Sequence, residues 1–214
     1  MLRWIIGGIL GLVGVLALVA VAGYFILKRP DIPYETLAAK YESGASRYEL
    51  FADGVRMHYR DEGNPDGPTL LLLHGFSASL QTWEPWVQQL GGEYRLITLD
   101  LPGHGLSRAP AGYQGSIETF RDAVATFVDA KELRHFVVGG NSMGGHVALE
   151  YALAHSEQVD ALMLVDSAGW PEPPNATEGQ GAIIFQSLRN PIAANILHDL
   201  DSSVLIRQRL ETAL

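Results

Sequence analysis

A glycine-rich segment at residues 139–145 limits what this chain can fold into more than any other feature. The apolar residues 136–138 come before it and a helix-forming stretch follows, which predicts a strand, a very tight turn and a helix. Gly140, Ser142 and Gly144 form a G-x-S-x-G pattern in that turn. Such a turn strains the serine backbone, and glycines two residues away on either side leave room for the crossing chain. The pattern therefore predicts a nucleophilic serine at the N-terminus of a helix, where developing negative charge is favoured.

Other glycine-loop functions do not fit this segment. Its glycines match G-x-G-x-x-G in no register, and no lysine follows them, so neither a dinucleotide site nor a phosphate-binding P-loop is indicated. The chain has no cysteine, which excludes disulfides, thiolate catalysis and cysteine-rich zinc sites. We predict neither a cofactor nor a metal. The net charge of −9 also disfavours nucleic acid as a partner.

Residues 4–27 contain no charged side chain and are mostly apolar. As a helix they would extend about 36 Å, beyond the roughly 30 Å of a hydrocarbon core. Arg3 and residues 28–29 supply positive charge at the two ends. We therefore expect a single-pass N-terminal membrane anchor. The alternative is a signal peptide cleaved near Ala22, although the apolar run continues beyond that site.

Apolar runs alternate with helical patterns through the rest of the chain, which predicts an α/β architecture with a mostly parallel sheet and flanking helices. The predicted elements are two strands around a turn at 53–54, strands at 69–73, 95–99, 136–138 and 161–165, and helices at 83–90, 116–130 and from 143 onwards. The predicted divisions are an anchor at 1–29, a linker at 30–46 with a possible short helix at 35–41, a core at 47–170 and a partial helical cap at 171–214.

Three motifs occur along the chain in the order and context typical of the α/β-hydrolase superfamily. His74-Gly75-Phe76 follows one predicted strand, residues 100–107 (DLPGHGLS) follow the next, and residues 140–145 (GNSMGG) form the turn already described. The chain resembles that superfamily over about residues 47–170. The resemblance implies an oxyanion hole made by the backbone N–H groups of Phe76 and Met143. It also implies that His74 braces the oxyanion loop rather than transferring protons.

The resemblance is incomplete at the C-terminal side. The family's triad runs serine, acid, histidine along the chain, and the acid and histidine usually follow later strands that residues 171–214 do not show. Asp166 stands where some members carry the acid, with a strand-end turn residue as the alternative. His198 lies in the presumed cap, and nothing marks it as the base. We therefore expect a truncated hydrolase with its C-terminal strands missing, nearly inactive because Ser142 lacks its triad partners.

These features lead to one main functional expectation and two alternatives. The leading one is a membrane-anchored serine esterase, similar to monoacylglycerol lipases, that cleaves lipid or other apolar esters through an acyl-enzyme. A hydrolase of carbon–carbon bonds of the meta-cleavage type has a similar GNSMGG segment and remains possible. A non-catalytic binding protein on the same sheet is the alternative from another class. Haloalkane dehalogenases and epoxide hydrolases are disfavoured, because a resemblance to those enzymes would require an aspartate at the position of Ser142.

Overall fold

The computed structural model describes residues 2–28, 32–170 and 190. The predicted cap at residues 171–214, and His198 with it, lies outside the described residues apart from Asn190. Pro33–Glu172 forms one compact unit. Its elements, with the N-terminal helix first, are α1 Leu2–Leu27, α2 Tyr34–Tyr41, β1 Ser46–Leu50, β2 Arg56–Gly63, β3 Thr69–Leu73, a 3₁₀ turn Leu80–Trp83, α3 Glu84–Leu90, β4 Arg95–Leu99, α4 Ile117–Ala130, β5 Phe136–Asn141, α5 Met143–Ala154 and β6 Val159–Val165.

The six strands of the described residues form one sheet in the order β1-β2-β4-β3-β5-β6. β1 pairs antiparallel with β2, and β2 pairs antiparallel with β4. From β4 across β3 and β5 to β6 all pairings are parallel. The observed sheet is therefore mixed and mostly parallel, as the alternation of strand and helix patterns predicts. The loops that follow β3, β4 and β5 lie at the same edge of the sheet, because the carboxyl ends of parallel strands share one edge.

The predicted buried strands form where the apolar runs stand. Four of the five residues in each of β3 and β4 are buried, and β5 is buried at four of its six positions. α4 packs its apolar face on the sheet, with Phe120, Val124 and Phe127 buried. Its N-terminus is fixed by a capping box in which Ser116 and Thr119 each accept a hydrogen bond from the other's backbone N–H.

The prediction of a strand at residues 161–165 is confirmed, but the prediction that this strand is buried is wrong. The strand forms, as β6, but Ala161 and Leu164 on it are exposed, and Leu164 shows 38% of its surface. The reason is its position. β6 pairs with β5 on one side and forms an edge of the sheet within the part of the chain that the structure describes. An apolar run predicts a strand, but it does not reveal which neighbours cover it.

The N-terminal helix α1 contains one segment, Ile6–Leu27, long and apolar enough to cross a membrane. None of that segment is buried. A signal sequence near an N-terminus would meet the same criteria of length and composition. α2 occupies much of the predicted linker. Its first residue, Tyr34, donates a hydrogen bond to the Leu106 carbonyl oxygen at 3.2 Å, so the short helix is attached to the compact unit.

Candidate active site

Ser142 occupies the one-residue turn between β5 and α5. Its φ of 51° and ψ of −115° are unusual for a residue with a side chain. Hydrogen bonds to the end of β6 and to the segment just after it hold the turn. The Ser142 N–H donates to the Val165 carbonyl oxygen at 3.1 Å, and the Ala168 N–H donates to the Ser142 carbonyl oxygen at 3.0 Å. Surrounding structure thus maintains a conformation that an isolated serine would avoid.

The glycines around Ser142 are required by close packing. A Cβ on Gly144 would lie 2.3 Å from the Leu73 carbonyl oxygen and 2.4 Å from that of His74. A Cβ on Gly140 would lie 2.2 Å from the backbone of Gly144. The first turn of α5 therefore rests directly on the end of β3, which only glycine permits.

The two predicted oxyanion donors lie on neighbouring loops. Met143 is the first residue of α5, and its N–H finds no acceptor among the described residues. Phe76 follows β3 and is 46% exposed. The preceding Gly75 packs against the turn, since a Cβ there would lie 3.4 Å from the Ser142 Cβ and 3.0 Å from the Asn141 Oδ1. The loop that carries Phe76 is thus packed beside Ser142.

His74 is fully buried and braces this loop. The Leu101 N–H donates to its Nε2 at 3.0 Å, so Nδ1 carries the proton and donates to the Gly75 carbonyl oxygen at 2.7 Å. Burial lowers the pKa of His74, which favours the neutral ring that this pattern needs. The ring joins the loop after β3 to the loop after β4, which is the structural role that the sequence indicated for His74.

Asp100 fixes the loop after β4 from within. Its Oδ1 accepts the Leu80 N–H at 2.7 Å, and its Oδ2 accepts the Leu106 N–H at 2.8 Å. Oδ2 also lies 2.7 Å from the Nδ1 of buried His58. Gly105 passes so close that a Cβ would meet the carboxylate at 2.2 Å. This carboxylate is therefore used to shape the loop.

A second serine completes a chain of hydrogen bonds that sequence reasoning missed. The Ser46 Oγ lies 2.8 Å from the His58 Nε2, so Ser46, His58 and Asp100 are connected in the order of a catalytic triad. No spacing in the sequence marks these residues as neighbours. Only the pairing of β1 with β2 brings the first two together, and the Asp53-Gly54 turn was the one available signal of that pairing. With the Asp100 carboxylate occupied by two backbone donors, this set is a structural brace.

Asp166 lies one residue beyond the Val165 carbonyl that accepts the Ser142 N–H. It is exposed and has a positive φ of 46°. No side chain among the described residues forms a hydrogen bond with the Ser142 hydroxyl. The structure thus brings Ser142, Met143, Phe76 and the Asp166 backbone into one region. It does not join a histidine to the serine within residues 32–170.

A cavity of about 330 Å³ lies beside the loop that follows β3. Leu37 and Tyr41 of α2 line it, together with Arg60 and with residues 77–81. Ser142 is not among its lining residues. Of the aromatic residues near the loops, Trp83 is buried in the core whereas Trp170 is 75% exposed.

The sheet order, the strained serine between β5 and α5 and the braced loop after β3 together define an α/β fold of the hydrolase type. A family model described as the alpha/beta hydrolase fold matches residues 68–205. The chain belongs to this family.

Individual relatives agree with that assignment. The chain is 38% identical to Lipase 1 of Psychrobacter immobilis over 61% of this chain and 43% of the relative. It is 34% identical to 2-hydroxymuconate semialdehyde hydrolase of Pseudomonas sp. (strain CF600) over 63% of this chain and 47% of the relative. The crystal structure of a membrane phospholipase A is similar with a TM-score of 0.60 and 35% identity, over 88% of this chain and 57% of that one. The chain spans about half the length of the curated relatives it matches.

Proposed function

We propose that this protein is a serine hydrolase of carboxylic esters, with Ser142 as its nucleophile. The observation that carries the proposal is the strained turn at Ser142, φ 51°, which opens directly into the first turn of α5. Strain of this kind costs about 1–3 kcal/mol and is concentrated at functional sites. The similarity to lipases supports hydrolysis of esters as the general reaction.

The reaction would pass through an acyl-enzyme. The Ser142 Oγ attacks the ester carbonyl carbon while a base takes the hydroxyl proton, and the resulting oxyanion accepts hydrogen bonds from the Met143 and Phe76 N–H groups. The tetrahedral intermediate then breaks its bond to the alcohol oxygen, which receives the proton from the base. Water attacks the acyl-serine by the same route in reverse and releases the carboxylic acid.

The proposed base is a histidine, and its proposed acid partner is a carboxylate. Asp166 is the candidate acid within the described residues, because it adjoins the Val165 carbonyl that holds the Ser142 backbone. Since no described side chain hydrogen-bonds the Ser142 hydroxyl, we expect the 214-residue chain to turn over esters very slowly. High Ser142-dependent turnover by this chain would contradict that expectation.

The proposed substrate is an ester with an apolar acyl or alcohol part, taken from a membrane. Phe76, which carries one proposed oxyanion donor, is an apolar residue that is 46% exposed beside the turn. The similar proteins include a lipase and a membrane phospholipase A, and these names indicate substrates of this kind. The apolar helix α1 would hold the enzyme in the bilayer, and a cleaved signal sequence is the alternative.

The test is labelling of the protein with a fluorophosphonate, which reacts with an activated serine. Wild-type protein is compared with Ser142→Ala and with the control variant Ser156→Ala, which changes an exposed serine beyond the end of α5. Added imidazole supplies a soluble base for the reaction. We expect slow labelling at Ser142, faster with imidazole, that is lost in Ser142→Ala and kept in Ser156→Ala. Absence of labelling with imidazole present would favour a non-catalytic binding protein.

A second candidate is hydrolysis of a carbon–carbon bond. The observation in its favour is the 34% identity to 2-hydroxymuconate semialdehyde hydrolase. Short p-nitrophenyl esters and a vinylogous diketone acid separate the two reactions, with Ser142→Ala subtracted from each rate. A higher imidazole-dependent rate on the diketone acid would replace the esterase proposal.

A further inference from the structure

Two arginine side chains are brought together around the ring of Tyr34. The backbones of Arg56 and Arg108 form an isolated antiparallel bridge, with N–H to carbonyl distances of 2.9 and 2.8 Å. The Arg108 guanidinium carbon lies 3.7 Å from the centre of the Tyr34 ring, and that of Arg56 lies 5.1 Å from it. We refer to Arg56 and Arg108 as the arginine pair.

The arginine pair has no acidic partner among the described residues. Arg60, Arg95 and Arg121 each form an ion pair with a carboxylate. No described carboxylate forms one with Arg56 or Arg108, although the chain carries a net charge of −9. Both guanidinium groups lie near one aromatic ring with no described carboxylate to neutralise them, so this arrangement favours an external anion.

Attachment of α2 explains only part of this arrangement. Arg56 donates a hydrogen bond to the Tyr34 hydroxyl and stacks on Tyr48, with 4.2 Å from the guanidinium carbon to the ring centre. Those contacts fix Tyr34 without a second cation. Glu42 interacts with this cluster through the Tyr48 hydroxyl. The pKa of that hydroxyl is raised chiefly by burial, and Glu42 contributes to the rise. The exposed Arg108 guanidinium forms no hydrogen bond among the described residues, so its donors face no protein acceptor there.

The position of the cluster along the chain indicates which anion it meets. Tyr34 begins α2, and only residues 28–33 separate it from the end of the apolar helix α1. Lys28 and Arg29 add two positive charges in that interval. Basic residues next to a membrane helix bind anionic lipid headgroups, and the guanidinium fork matches a phosphate group.

We propose that the arginine pair binds the phosphate group of an anionic phospholipid in the bilayer that α1 spans. The inference rests on the proposed membrane location of α1 and is independent of the reaction at Ser142. Binding there would stabilise the compact unit through Tyr34 and hold α2 at the lipid surface.

The experiment uses the full chain in nanodiscs of phosphatidylcholine, with or without phosphatidylglycerol. Each protein is compared with itself in the two lipids, so that a loss of stability caused by a substitution cancels. We expect phosphatidylglycerol to raise the Tm of the wild type by about 4–8 °C, from two arginines near an anionic surface. The double variant Arg56→Gln/Arg108→Gln should lose this rise.

Two further variants make the outcome decisive. Arg108→Gln leaves the bond from Arg56 to Tyr34 in place and should lose about half of the rise. Arg134→Gln changes an exposed arginine outside the cluster and should keep all of it. An undiminished rise in the double variant overturns the proposal, and so does an equal rise from inorganic phosphate in neutral nanodiscs, which indicates a free-anion site. Failure of the chain to enter nanodiscs overturns the anchor itself, while labelling at Ser142 is read separately.

Discussion

Ser142 carries a testable amount of backbone strain. Its φ and ψ lie where glycine is at ease and other residues are not. We expect Ser142→Gly to have a free energy of unfolding about 1 kcal/mol higher than Ser142→Ala, because both lose the hydroxyl but only alanine keeps the strain. Urea unfolding of the two variants measures the difference.

The same pair of substitutions at Ser79 is the control. Its φ of −145° is ordinary extended backbone, so relief of a positive φ gives glycine no advantage over alanine there. If Ser142→Gly is no more stable than Ser142→Ala, the turn is not strained and the main argument for a nucleophile weakens.

His74 predicts how stability depends on pH. Because burial lowers its pKa in the folded protein, the unfolded chain binds a proton more readily than the folded one. The contribution of His74 to stability is therefore complete above about pH 6.5 and is lost as the pH falls below it, by about 1.4 kcal/mol for each unit of pKa lowering.

Urea unfolding between pH 7.5 and pH 5 in His74→Gln tests this prediction. Glutamine can accept from the Leu101 N–H and donate to the Gly75 carbonyl without taking up a proton, so the slope with pH should be smaller. His135→Gln changes an exposed histidine and serves as the control. An unchanged slope in His74→Gln would show that other groups cause the dependence.

At the level of single residues, the sequence predicted those features of the site that depend on consecutive residues. Ser142, Met143 and the glycines around them are consecutive, so one motif describes their geometry. The brace formed by Ser46, His58 and Asp100 is assembled from β1, β2 and the end of β4, and no local pattern indicates such a set. The partner of the Ser142 hydroxyl stays a prediction for the same reason.

At the scale of elements, the contact between α5 and β3 leaves no room for a side chain at Gly144. Gly144→Ala would drive a methyl group into two backbone carbonyl oxygens that cannot move away independently. We expect it to lower the free energy of unfolding by about 1–3 kcal/mol or more. Gly92→Ala is matched, since a Cβ there meets no atom within 4 Å, and it should change stability by about 0.5 kcal/mol or less.

The strands were predictable because their burial is two-sided. In β3, β4 and β5 a continuous apolar run coincides with a place between two neighbours. β6 has a similar run and lies at an edge of the described sheet, and so its burial was overestimated. An apolar run predicts that a segment pairs with another strand, whereas the number of neighbouring strands depends on the whole sheet.

At the scale of the whole molecule, the behaviour of α1 is the first property to measure. If α1 spans a bilayer, the protein stays with membranes after extraction at alkaline pH and keeps its N-terminal residues. Mass measurement of the purified protein checks this. A mass lowered by the residues up to about Ala22, with protein released from the membrane, would establish the signal sequence instead.

The hydrogen bonds from Ser142 to the end of β6 have a consequence for biosynthesis. A ribosome completes Ser142 before it has made Val165 and Ala168, the residues whose backbone groups hold it. At about 5–20 residues per second, roughly one to five seconds pass between them. During that interval the nascent turn lacks its support and is free to relax. The strained geometry of Ser142 can therefore be fixed only after translation has moved past the strand that follows α5.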